Sequence, residues 1–182
     1  ELSQLLIRHA WHQSIETGTS IKPWKWADMY PVMRLQSTKH QQDLIVLAGD
    51  TGNVLAFAPG LSPFTSQNNT SSTWLVSGHR DTHFTFLKDI AVGDLITTTR
   101  LDQTRKNFKV SDIDVIDISE QTISISDYES ELKLVTCYPF DAVLPGGSLR
   151  YVVTAKNYSI KKSDEISVDV VFHSPSLLKL AI

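Results

Sequence analysis

The chain has 182 residues, enough for one domain around a single core, and 17 basic residues against 20 acidic ones leave a net charge of −3. No block of basic residues exists, which argues against nucleic acid as a main partner. No apolar run reaches the roughly 18–20 residues that span a bilayer, and the single cysteine, Cys137, rules out a disulfide within the chain.

Leu2, Leu5, Leu6, Ala10 and Trp11 recur at helical spacing, so residues 2–17 are predicted to form an amphipathic helix that stops at Gly18. Lys22-Pro23-Trp24-Lys25-Trp26 is too rich in proline and tryptophan for a free linker, and its indoles are expected to be buried in part. Residues 1–30 are thus read as an N-terminal helix and packing segment, and 31–182 as the main domain. From Pro31 onward, short runs between turn residues predict strands at Val32–Gln36, Asp43–Ala48, Thr73–Ser77, Leu95–Arg100, Lys106–Ile118, Thr122–Ile125, Leu132–Cys137 and Arg150–Thr154. The alternation in Ile113–Ile118 changes phase between Val115 and Ile116, which fits a β-bulge. Ser66–Ser72 reads as a polar loop, Ile166–Phe172 as a candidate further strand, and Leu177–Ile182 as an apolar tail without a functional reading. Such spacing suggests an antiparallel barrel or sandwich.

Cys137 ends one apolar run, and Arg150 opens the next, 13 residues on. A thiol at a strand end facing a guanidinium is a candidate nucleophile; the ordinary alternative is an inert buried cysteine. A base is needed. Trp74-Leu75-Val76-Ser77-Gly78-His79-Arg80-Asp81 offers His79 at the end of another strand, with His83 as the rival four residues later. His9 and His12 on the helix and His40 in a polar turn read as surface residues. Asp81 reads as a turn former or a group orienting a histidine. Gly146 and Gly147 suit a turn that needs positive φ. No phosphate-loop pattern surrounds them, and one cysteine with scattered histidines makes no metal-ligand set, so neither cofactor nor metal is expected.

Thr136-Cys137, Gly78-His79 and Arg150, in this order and spacing, resemble the motifs of the sortases, cysteine transpeptidases of bacterial surfaces. Ile21–Asp28, Gly78–Phe84 and Val135–Ser148 look like the Gram-negative branch of that family. The resemblance covers about Leu5 to Ala155. It implies a mainly β fold, a closed antiparallel barrel of about eight strands with an N-terminal helix and short helical turns. It implies Cys137 as nucleophile, His79 as acid and base, and Arg150 as donor to the oxyanion or anchor for the substrate backbone. Thr136, Tyr138 and His83 are then substrate-binding candidates, and the Tyr138 N–H a second oxyanion donor.

The same resemblance implies a surface protein with a Leu-Pro-x-Thr-Gly-like C-terminal sorting signal as substrate and an amine as acceptor. It also implies an N-terminal membrane anchor upstream of Glu1, with the catalytic domain outside the cytoplasm. Residues 1–17 would then be a tether whose removal leaves cleavage of a soluble peptide unchanged. Two alternatives stay open: a cysteine hydrolase with the same dyad and water as acceptor, and a catalytically idle barrel that binds a peptide. L,D-transpeptidases carry an arginine two residues after the cysteine, where this chain has Pro139.

Overall fold

In the computed structural model, which describes residues 2–66, 73–126, 128–142 and 146–159, the alternating runs after Pro31 become eight strands among those residues. They are β1 (Pro31–Ser37), β2 (Gln42–Ala48), β3 (Gly60–Leu61), β4 (Trp74–Ser77), β5 (Leu95–Arg100), β6 (Arg105–Asp117), β7 (Glu131–Cys137) and β8 (Leu149–Asn157). They close in the order β1-β2-β3-β4-β7-β8-β6-β5. Neighbours run antiparallel except β2 with β3 and β4 with β7. The mainly β, closed barrel with an N-terminal helix is therefore as expected.

Burial alternates along β1 and β5, as a sheet buried on one face requires, while β7 is buried continuously from Glu131 to Thr136. Leu35, Val46, Val76, Ile96, Phe108, Leu132, Leu134 and Val153 are all buried at 0% exposure and form the barrel core. Trp74 closes this core beneath Lys106 and Arg100, whose charged ends lie 4.7 and 5.7 Å from its ring centroid.

A second core lies outside the barrel. The helix α1 (Leu2–Thr17) buries Ile7, Ala10, Trp11 and Ser14, which recur at the i, i+3, i+4, i+7 spacing of one helical face. Ile7 and Trp11 pack with Met29, Ile45, Leu47, Val54 and Ala58. Leu2 and Leu5, expected on the buried stripe, point outward at 70% and 66% exposure. Arg8 holds the helix to β2 through the Asp43 side chain and carbonyl, while Arg34 grips the same carboxylate with two bonds of 2.7 and 2.8 Å. Trp24 packs edge-on against Phe57, with ring centroids 5.1 Å apart. Trp26 does not follow it inward: it is 81% exposed.

Other departures from the sequence reading have local causes. The register shift in β6 falls between Val110 and Asp112, not at Val115 and Ile116. Thr122–Ile125 forms no strand, because a closed barrel leaves no edge for it to pair with. Its segment instead crosses to β4, where Thr73 Oγ1 donates to the Ser126 carbonyl at 2.8 Å. β3 is two residues long, too short to show alternation, and has Gly60 where a Cβ would meet the Gly49 carbonyl oxygen at 2.0 Å. Ile166–Phe172, Leu177–Ile182 and His173 lie outside the described residues, as does Ser66–Ser72 beyond Ser66.

Candidate active site

β7 carries Cys137 as its last residue. Leu134 and Thr136 are buried in the barrel, so alternation turns Cys137 to the outer face, where it is half-buried. On one side β7 pairs with β8 so that Cys137 lies opposite Arg150. The Tyr138 N–H donates to the Leu149 carbonyl at 3.1 Å, which makes the Cys137–Arg150 rung the non-hydrogen-bonded kind. Cα atoms are then only about 4.5 Å apart, and the two side chains share a face.

On the other side β7 runs parallel to β4, with Ser77 opposite Val135. β4 ends there, and His79 lies two residues further on, in the loop beyond the last paired residues.

The contact between β4 and β7 continues past the end of β4 through one backbone and one side-chain hydrogen bond. The Gly78 N–H donates to the Val135 carbonyl at 3.0 Å, and Thr136 Oγ1 donates to the Gly78 carbonyl at 2.7 Å. Thr136 is 2% exposed, so it ties the His79 loop to the cysteine strand and does not face a ligand. Gly78 has to be glycine for steric reasons: an added Cβ would lie 2.8 Å from the ring of Phe84, a fully buried core residue. The loop then closes on itself, with the Phe84 N–H donating to the His79 carbonyl at 3.0 Å.

An open cleft of about 180 Å³ lies here, lined by both His79 and Cys137, with Tyr138, Pro139, Gly146 and Gly147 along the loop between β7 and β8. Gly146 has φ +98°, the positive value expected of this turn. The Tyr138 ring stacks on Tyr151 at 6.0 Å and 18°, and Phe140 meets both rings edge-on. Because the Tyr138 N–H already bonds Leu149, it is not the open oxyanion donor expected from sequence. Arg150 donates from Nη1 to the carbonyls of Gly147 (2.6 Å) and Leu149 (2.9 Å), which fixes that edge of the guanidinium against the loop.

His79 is exposed and His83 half-buried. Burial, and secondarily the nearby His79, push His83 below the usual imidazole range, partly opposed by the Phe57 backbone. His83 is therefore neutral at neutral pH, and it is not among the residues lining the cleft. His40, read from sequence as a surface residue, is a buried partner of Asp94, with Nε2 2.7 Å from Oδ2.

A family model described as the Sortase domain matches residues 35–158, which include β4, β7 and β8 with His79, Cys137 and Arg150. The chain belongs to the sortase family. Among solved structures, this sortase is similar to sortase A from Corynebacterium diphtheriae, with TM-score 0.64 and 21% identity over 76% of this chain and 66% of that one. The sortase D5 transpeptidase of Clostridium perfringens matches with TM-score 0.64 and 18% identity, over 86% and 96% of the two chains. Sortase C from Clostridium perfringens SM101 matches with TM-score 0.58 and 19% identity, over 85% and 86%. These likenesses establish the shared barrel. No curated protein sequence matches the chain.

One residue of this sortase's site has no role in the sequence reading. Arg80 sits inside a quoted motif, and the signal available was its place directly after His79. Its side chain is 9% exposed and is committed to the loop that follows Cys137.

Proposed function

We propose that this sortase is a cysteine transpeptidase that cleaves a Leu-Pro-x-Thr-Gly-like C-terminal sorting signal and passes the acyl group to an amine. The observation that carries the reading is that Cys137 lies opposite Arg150 on β8 and shares an open cleft with His79. The Cys137 thiolate attacks the carbonyl carbon of the scissile Thr–Gly bond. The Nε and Nη2 edge of Arg150 meets the oxyanion of the tetrahedral intermediate. His79 gives a proton to the leaving amine, and a thioester on Cys137 remains. An incoming amine attacks the thioester, its proton goes to His79, and the thiolate departs.

The low proton affinity of His83 supports His79 as the proton carrier. Arg150 supplies two edges of donors, one held by loop carbonyls and the other directed at substrate, which a lysine cannot do. The family further supports a surface protein as substrate and an anchored enzyme acting outside the cytoplasm. Among the described residues no helix is long and apolar enough to cross a membrane.

Mass spectrometry of the protein with candidate sorting peptides tests the reading. The expected result is a covalent acyl adduct on Cys137, absent in Cys137→Ala, with a transfer product when a primary amine is present. Hydrolysis alone at saturating amine would favour the hydrolase. Unchanged turnover in Cys137→Ala would remove the thiol from the chemistry.

A further inference from the structure

Arg80 follows His79 directly, yet its side chain turns away from solvent. Nη1 donates to the Pro139 carbonyl at 2.8 Å and Nη2 to the Ala142 carbonyl at 2.6 Å. Those carbonyls belong to the two ends of one turn, closed by the Ala142 N–H on the Pro139 carbonyl at 3.3 Å. The turn begins two residues after Cys137. The carboxylate paired with Arg80 among the described residues, Asp81, lies 3.4 Å from Nε and is 70% exposed, so that ion pair is largely solvated. The carbonyls are the buried partners.

We propose that Arg80 is a positioning residue that sets the separation of His79 from Cys137; this rests on the assignment of that pair above. Apart from the Thr136–Gly78 bond at the strand ends, each loop is also held from within. The histidine loop closes through the Phe84 N–H on the His79 carbonyl, and Thr85 Oγ1 donates to the Arg80 carbonyl at 2.9 Å. The cysteine loop is held at its base by Tyr138 on Leu149 and by the ring cluster of Tyr138, Phe140 and Tyr151. Backbone pairing between the two strands stops at Gly78 and Val135, and the Thr136 hydroxyl on the Gly78 carbonyl is the last bond before the proposed reacting side chains. From there the Arg80 fork joins the loops. A guanidinium suits this because its planar N–H groups reach two acceptors at once, whereas an ammonium is a single point.

An arginine that only stabilised the fold would lower stability without changing how Cys137 responds to His79. The test uses the full chain with Arg80→Gln and Arg80→Lys, each alone and combined with His79→Ala. Two quantities are measured at neutral pH: kcat and KM for sorting-peptide cleavage, and the rate of Cys137 alkylation by iodoacetamide, which needs no substrate. Misplacement of reacting groups by about 1 Å costs on the order of 10²-fold in rate. Arg80→Gln is expected to lose about that much in kcat with little change in KM, and to slow alkylation. In the His79→Ala background the same substitution is expected to leave alkylation unchanged, because Arg80 acts through His79. Arg80→Lys recovers part of the loss, since it reaches one carbonyl.

Equal slowing of alkylation in both backgrounds, or an unchanged kcat in Arg80→Gln, overturns the proposal. Should Arg80→Gln fail to fold by circular dichroism, Arg80→Lys carries the same comparison. Failure of the underlying catalytic assignment reads differently: Cys137→Ala would then keep its turnover whatever Arg80 does.

Discussion

Replacing Trp11 by alanine separates two views of the N-terminal helix, a tether or a wall of the domain. The indole is 2% exposed, and Ile7, one turn earlier, is fully buried in the same cluster as Met29, Ile45 and Leu47. Truncating a buried tryptophan costs about 3–5 kcal/mol and a buried isoleucine about 2–5 kcal/mol, because the surroundings collapse only partly into the space left. The whole stability of a domain is about 5–15 kcal/mol. Trp11→Ala is therefore expected to remove a large fraction of it. With a urea slope of about 1–3 kcal/mol per molar, the midpoint should fall by at least about 1 M. Far-UV circular dichroism is the right probe, since it does not depend on the lost indole. Removing residues 1–17 takes Ile7, Ala10 and Trp11 together and is expected to leave no cooperative transition. A midpoint in Trp11→Ala equal to that of the wild type would refute this reasoning and restore the view of residues 1–17 as a dispensable tether.

His79→Ala is expected to lose several orders of magnitude in peptide cleavage, consistent with the roughly 10²–10⁴-fold of general acid–base catalysis plus lost thiol activation, and His83→Ala much less; the opposite ranking in steady-state rates would exchange their roles. Arg150→Lys keeps the charge but gives up the second edge of donors, so it should rescue little of what Arg150→Ala loses, and near-wild-type kcat/KM with lysine would reduce the role to simple charge. Burial opposes ionisation of Asp94, but hydrogen bonds from Lys39, His40 and the Ala91 N–H outweigh it and hold the carboxyl below its ordinary range. The stability it contributes is present above the unfolded value of about 3.9 and is lost as pH falls through the folded one. Asp94→Asn should thus lower the urea midpoint at neutral pH and approach the wild type below about pH 4, whereas a gap independent of pH would show that the charge is irrelevant.

What the sequence made legible follows from how each signal arises. β5 was bounded correctly because one buried face dictates its alternation, and β7 to within a residue because it is a continuous buried run ending at Cys137. β3 and the irregular Thr122–Ile125 segment were not, since pairing there depends on which edges barrel closure leaves open. The helix was predicted over the right residues, and Ala10 and Trp11 of its predicted stripe are buried, but Leu2 and Leu5 are not, since leucines at its start are as apolar as the Ile7 that meets Leu47. At the candidate site, Cys137, His79 and Arg150 were singled out from motif and spacing, and the structure sets Cys137 opposite Arg150 and on one cleft with His79. The inward turn of Thr136 and the committed N–H of Tyr138 depend on hydrogen bonds to Gly78 and Leu149, which no local pattern announces. Arg80 stayed silent for the same reason: its partners lie 59 and 62 residues away.

The parallel pairing of β4 with β7 bears on when the thiol becomes reactive. Parallel neighbours cannot be joined by a hairpin, and here their partners lie 58 residues apart in sequence, as Ser77 and Val135 show. Contacts of such range form slowly, because the chain between them must be ordered before the pairing repays its entropy. A ribosome-bound chain that has emerged only as far as Cys137 also lacks β8, and with it Arg150. Its cysteine then sits on an open sheet edge without the partners that the proposed mechanism needs. Under that mechanism, acyl chemistry is tied to barrel completion, and an unfinished or misfolded copy cannot carry it to its surroundings.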